Sequence, residues 1–196
     1  MKSFLKPGYF LTIPIIFCVN GFLVHSSNHT GMHNIDKIQP QEPTITLEQK
    51  ATPKRTVIYV TDSAASTAEI TQKFMKIIPF ELGGYLKKNS LQMMGPPMAW
   101  YTGNKAPYIF DIGAPVNKAA AADGRVKIRE MDAGNAVVAH FYGPYELSWK
   151  AYPLAEAWIK EHNKTADGAP YEVYIGDPGV EKDPYKILTD IVFPVK

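Results

Sequence analysis

The chain has 196 residues, 45% apolar and 20% charged, which is the composition of an ordinary globular protein with length for one domain plus extensions. A formal charge of +2 gives no electrostatic basis for binding nucleic acid or an anionic surface. The single Cys18 excludes an intrachain disulfide and a cysteine-based metal centre, the histidines lack ligand spacing, and no P-loop, GxGxxG or GxSxG occurs, so neither a metal nor a cofactor is expected.

Residues 1–26 read as a signal peptide or membrane anchor. Lys2 and Lys6 precede an almost unbroken apolar run from Tyr9 to Val24. At 16 residues that run is shorter than the ~20 a helix needs to span a bilayer, which favours export over a permanent span. Membrane attachment through residues 9–24 would still leave the rest of the chain outside the cytoplasm. Residues 27–54 are polar, with Pro40, Pro43 and Pro53 and no sustained period, and read as a disordered linker. The folded domain is expected over residues 55–196.

Thr56 to Thr61 is β-rich and predicts a strand. Ser66 with Glu69 three residues later forms a capping box, and Ile70, Phe74, Ile77 and Ile78 then recur at helical spacing. Pro79 lacks an amide proton and should kink that helix. Strands follow at Met98 to Thr102 and Tyr108 to Ile112. Val126 to Met131 and Ala136 to Tyr142 predict a hairpin about residues 132–135. A second helix over Tyr145 to His162 places Leu147, Ala151, Leu154, Ala155 and Trp158 on its apolar side, with Pro153 interrupting it. Trp149, Tyr152 and Trp158 are assigned to the packed face of this helix. The strand from Pro170 to Ile175 alternates Tyr171, Val173 and Ile175, expected under a helix, with Glu172 and Tyr174, expected towards a cleft. A carboxylate in such an apolar run must reach a polar site or suffer desolvation of several kcal/mol.

An internal repeat organises these elements. Pro97-Met98-Ala99-Trp100-Tyr101 aligns with Pro170-Tyr171-Glu172-Val173-Tyr174, and residues 111–116 align with 190–195. Pro79 aligns with Pro153 at nearly the same offset. The fold class is therefore α+β. Two strand–helix–strand–strand units are expected to be related by a pseudo-two-fold axis, each an antiparallel sheet with one helix, enclosing a central ligand cleft. Glu172, Tyr174, Tyr101, Tyr142 and Phe193 are the candidate ligand-binding residues.

The segments HFYGPYELSWKAYPLAEAWIKEH, YEVYIGDP and LTDIVFPV resemble the GyrI-like family, a small-molecule-binding domain also found as the effector domain of AraC-type and MerR-type multidrug regulators. The resemblance spans Arg55 to Lys196. It implies a cleft for bulky, often cationic aromatic molecules, with Glu172 as electrostatic partner and Tyr174 beside it. It also implies an alternative, hydrolysis of electrophilic small molecules with Glu172 as general acid or base helped by Tyr101 or Tyr174. A related haem-binding fold would use His140 or His162. Regulators of this type carry a helix-turn-helix before the domain, where this sequence has an apolar run and a proline-containing stretch. A sensing or sequestering module outside the cytoplasm is therefore the first expectation. A closed cleft would favour a third one, a structural or partner-binding domain.

Overall fold

The structure is a computed structural model that describes residues 41–118 and 120–196. The expected signal or anchor at residues 1–26, its membrane contact and the first half of the expected linker lie outside the described residues. No helix among the described residues is long and apolar enough to cross a membrane.

Eight strands form one antiparallel sheet: β1 (Thr44–Thr52), β2 (Arg55–Ala64), β3 (Met98–Thr102), β4 (Tyr108–Val116), β5 (Lys127–Met131), β6 (Gly134–Tyr142), β7 (Tyr171–Tyr174) and β8 (Leu188–Val195), in the order β1-β6-β8-β7-β3-β4-β2-β5. The two expected sheets are thus joined into one by the β3·β7 pairing. The symmetry reads outwards from that seam, β3-β4-β2 in one direction and β7-β8-β6 in the other. Ala99 lies directly opposite Glu172 in the seam. These two residues are equivalent in the repeat, so the pseudo-two-fold axis passes between them.

Two expectations are corrected here. Thr44 to Thr52 is not linker but strand β1, paired along its length with β6 from Thr44↔Tyr142 to Thr52↔Gly134. Its alternating Ile45 and Leu47 pack against the buried cluster that includes Val137, Ala139 and Phe141. Nor do β5 and β6 form a hairpin, because β5 pairs with β2 at the opposite end of the sheet. Each repeat is edged by the strand that precedes the other repeat's counterpart. β1 leads into β2 but borders β6, and β5 leads into β6 but borders β2.

These crossings dictate the curvature. β1 and β2 stand six strand spacings apart in the sheet order, about 29 Å if the sheet were flat at ~4.8 Å per strand. Only Pro53 and Lys54 connect them, and such a link reaches at most about 11 Å. The Asp132–Ala133 link between β5 and β6 poses the same constraint. The sheet must therefore roll until its edges approach. The inner face holds one cluster that runs through both repeats, with Val57, Met98, Ala136, Val138, Tyr171, Val173 and Val192. The outer face holds two separate clusters, one under each helical cap.

The first cap begins as expected. Ser66 accepts the Glu69 amide at 3.2 Å, and the Glu69 carboxylate reaches back to the Ala65 amide at 2.7 Å. Helix α1 (Thr67–Lys76) then loosens into a π-helical turn, Ile77–Leu82, around Pro79, and resumes as α2 (Gly83–Lys88). A widened turn accommodates the missing amide donor without breaking the chain's direction. The second cap is a 3-10 turn, Tyr145–Lys150, followed by α3 (Ala151–Glu161). Pro153 does not interrupt α3. It falls in the first turn, where an amide has no intrahelical partner. Gly143 admits this entry, since a Cβ there would sit 2.7 Å from the Phe141 ring and 2.8 Å from Pro43.

If β1 is part of the sheet, a chain beginning at Arg55 should be less stable than one beginning at residue 41 by about 2–3 kcal/mol. That is the burial of the half-covered Ile45 and Leu47, and the loss also leaves the β6 edge unpaired. Urea unfolding of the two chains measures the difference. Equal midpoints would mean that β1 adds nothing.

Candidate functional site

Alternation along β7 sends Tyr171 and Val173 to the inner face and Glu172 and Tyr174 to the outer one. The separation of faces is as the sequence implies, but their assignment is reversed. The helices cover the side of Glu172, and Tyr171 lies inside the rolled sheet. Glu172 therefore emerges at the axis, in the valley between the two helical caps, and is only 5% exposed.

Its carboxylate is held from three directions. Ser148 and Tyr152, from the second cap, donate to Oε1 at 3.1 and 3.2 Å, and Tyr174 donates to Oε2 at 2.9 Å. Tyr101, the repeat equivalent of Tyr174, lies 2.9 Å from the Tyr174 hydroxyl across the axis. Because the Tyr174 proton is committed to Glu172, Tyr101 donates. Aromatic rings wall the group. Phe74 of α1 and Tyr145 of the 3-10 turn meet Tyr174 edge-on at 5.6 and 5.5 Å, and Tyr145 is fixed by its bond to the Gly176 carbonyl at 3.2 Å. The Thr189 hydroxyl, cross-strand from Tyr174, is fully buried and has no partner among the described residues.

Burial pushes the Glu172 carboxyl above its ordinary range, against the three hydroxyl bonds that favour the anion. The same burial, reinforced by the Glu172 charge, raises the phenols of Tyr101, Tyr152 and Tyr174. Tyr145 is raised chiefly by burial as well. The phenols therefore remain protonated donors around one acceptor.

Of the expected residues, Glu172, Tyr174 and Tyr101 come together. Tyr142 does not belong to the site. On β6 it is Phe141 that turns to the helix face, which leaves Tyr142 on the other side of the sheet and 37% exposed. Phe193 is on the correct face but buried in the core, 5.4 Å from the Tyr152 ring, where it supports the wall rather than lining the site. Tyr152 packs against the core as expected and its hydroxyl also donates to Glu172, while Trp149, expected in the packed face as well, is 62% exposed. Ser148, Tyr145 and Phe74 were not anticipated. The offset that aligns Pro79 with Pro153 also aligns Phe74 with Ser148 and Ile78 with Tyr152, so the repeat itself carried a signal for them. Neither candidate haem ligand faces this valley. His140 is on the inner face between Asp190 at 2.6 Å and Glu48 at 3.1 Å, and His162 stacks on Trp158 at 3.6 Å.

Residues 101–196 match the family model of the GyrI-like small molecule binding domain. Among solved structures the chain is similar to the EcmrR C-terminal domain, at 20% identity and a TM-score of 0.67, covering 78% of this chain and 98% of that one. The EcmrR chain in a DNA complex gives the same identity and score, and this chain spans 57% of its length. A hydrolase from Listeria innocua is similar at 14% identity and a TM-score of 0.57, over 76% of this chain and 91% of that one. Likeness at these identities is likeness of fold. No curated protein matches the chain.

The raised carboxyl has a stability signature. A native pKa above the unfolded value means the native state binds more protons between the two, so stability falls as pH rises from the ordinary carboxylate range through the raised one. The slope within that window should approach about 1.4 kcal/mol per pH unit for one group. Urea unfolding across pH 4 to 8 should show this decline in the native chain and lack it in Glu172→Gln. Parallel pH profiles for the two proteins would contradict it.

Proposed function

We propose that this chain, whose residues 101–196 belong to the GyrI-like small-molecule-binding family, takes lipophilic organic cations at the valley around Glu172. One observation carries the reading, a buried carboxylate on the axis with four tyrosines and Phe74 about it. An organic cation gains from the charge and from the ring faces, with cation–π contacts worth ~0.5–2 kcal/mol each. The valley is closed by its own side chains, so a ligand enters as the caps part. Phe74, which meets Tyr174 edge-on and has no polar anchor, is the movable member. Ser148, Tyr152 and Tyr174 hold the carboxylate ready while it waits. A closed cleft also suits a purely structural domain, but such a domain gains nothing from a carboxylate whose burial costs several kcal/mol.

Calorimetric titration with benzyltrimethylammonium and its neutral isostere neopentylbenzene tests the reading. Glu172→Gln should weaken the cation ~10- to 150-fold, the equivalent of 1.5–3 kcal/mol for a bond to a charged group, and leave the neutral compound nearly unchanged. Equal losses for both, or none, would remove Glu172 from the binding site.

The hydrolytic alternative uses the same carboxylate as a general base. Its support is that burial raises the carboxyl pKa, the direction a general base requires. Against it, Oε1 already accepts two hydroxyls and Oε2 a third, which leaves a single lone pair, on Oε2, for a water or substrate.

We further propose that residues 1–26 carry the domain out of the cytoplasm, on the basis of Lys2, Lys6 and the apolar run that follows. A fusion of residues 1–54 to a reporter active only outside the cytoplasm should be active. A silent, cytosolic fusion rejects the proposal.

A further inference from the structure

The inner face of the rolled sheet has chemistry of its own. A cavity of about 210 Å³ opens there between the β1–β2 connection and residues 94–96. Val138, Val173 and Val192 give it an apolar floor, Pro96 and Pro115 line it as well, and Tyr171 extends into it from β7. Three charged residues line it, Lys50, Arg55 and Asp190.

Two of those charges are already matched. Asp190 accepts from His140 at 2.6 Å and lies 3.9 Å from Lys50, while Lys50 is 2.9 Å from Glu48, which in turn meets His140 at 3.1 Å. The other acids nearby are also engaged. Asp111 pairs with Arg129, which lies over the Tyr59 and Trp100 rings, and Glu130 meets Thr56 at 2.7 Å and Lys54 at 4.0 Å. Arg55 has no carboxylate within 4.0 Å among the described residues. The Tyr171 phenol, in a side chain only 3% exposed, likewise has no hydrogen-bond partner among them. The two are close. Burial pushes the Tyr171 phenol up, and the Arg55 charge pulls it back. A guanidinium without a carboxylate partner and a phenol without a protein hydrogen-bond partner therefore line the same apolar cavity.

We propose that this cavity is a second ligand site, distinct from the Glu172 valley and opposite to it in sign, for a small organic monocarboxylate. The carboxylate would take the Arg55 guanidinium, whose forked donors suit its geometry, together with the Tyr171 hydroxyl. The apolar body would rest on Val138, Val173 and Val192. The volume equals about seven waters at ~30 Å³ each, which admits a single ring or short chain and excludes drug-sized molecules. Asp190, matched by His140 and Lys50, closes one end and disfavours a second acidic group.

Benzoate, benzamide and benzyltrimethylammonium, titrated calorimetrically into the full chain, test the proposal. Benzoate should bind saturably with one site, and neutral benzamide at least tenfold more weakly. Arg55→Gln should weaken benzoate at least tenfold, whereas Glu172→Gln should leave it unchanged. Methyl NMR signals of Val138, Val173 and Val192 should shift on adding benzoate. The proposal is overturned if benzoate fails to saturate at millimolar concentration, if benzamide binds as tightly, or if a folded Arg55→Gln binds as well as the native chain. Should that variant not fold, the benzoate and benzamide comparison on the native chain, with the valine methyl shifts, decides alone. Because the Glu172 valley is read with a cation, failure of either site leaves the other standing.

Discussion

The structure depends on the burial of one carboxylate at a symmetry axis. In the seam, Ala99 and Glu172 are both repeat equivalents and cross-strand partners. Side chains so placed have Cβ atoms about 4.5–5.5 Å apart, so an acid in both copies would set two like charges against each other in a desolvated valley. The duplication can carry its charge only once. The rest of the valley is asymmetric to match. Ser148 and Tyr152 of the second cap reach the carboxylate, and their counterparts Phe74 and Ile78 in the first cap are apolar.

That division of labour separates attraction from chemistry. A cation needs net charge and ring faces near it, and hydroxyls bonded to the carboxylate leave both available. Proton abstraction needs a free lone pair with a clear approach, and the three hydroxyls leave only one, on Oε2. The phenols raised by burial hold on to their protons, so they reinforce the carboxylate as an anion and do not compete with it for charge. The cost of the buried ion is only partly offset, which is why Glu172 remains above its usual range.

Much of this was legible in residue order. Period and capping identify the first helix through Ser66, Glu69 and Phe74, and the repeat implies a pseudo-two-fold axis, whose position the Ala99–Glu172 pairing gives. Alternation separated Glu172 from Tyr171 correctly. It could not say which face the helices cover, because both faces of β7 are buried and both carry aromatics. Strand β1 escaped notice because only Ile45 and Leu47 alternate, between threonines and charges, beside three prolines that suggest a flexible stretch. The expected β5–β6 hairpin failed because a short polar link marks a reversal of direction without naming the partner. Tyr142 was misplaced by the same one-residue parity that decides every strand face. Tyr152 was read as helix packing because its ring does pack, against Phe193, while its hydroxyl reaches past the core to Glu172.

The Pro53–Lys54 and Asp132–Ala133 links do more than bend the sheet. Each repeat lends an edge to the other, in the manner of two protomers that exchange strands and are later joined in a single chain. Separating the halves would leave β2 without β5 and β6 without β1, exposing two long backbone edges at once. There is accordingly no position at which the described chain divides into two self-sufficient pieces, although its sequence is visibly written twice. The valley on the outside and the cavity on the inside share the seam strand β7, and the two covalent links tie each outer edge of the sheet back to the opposite repeat.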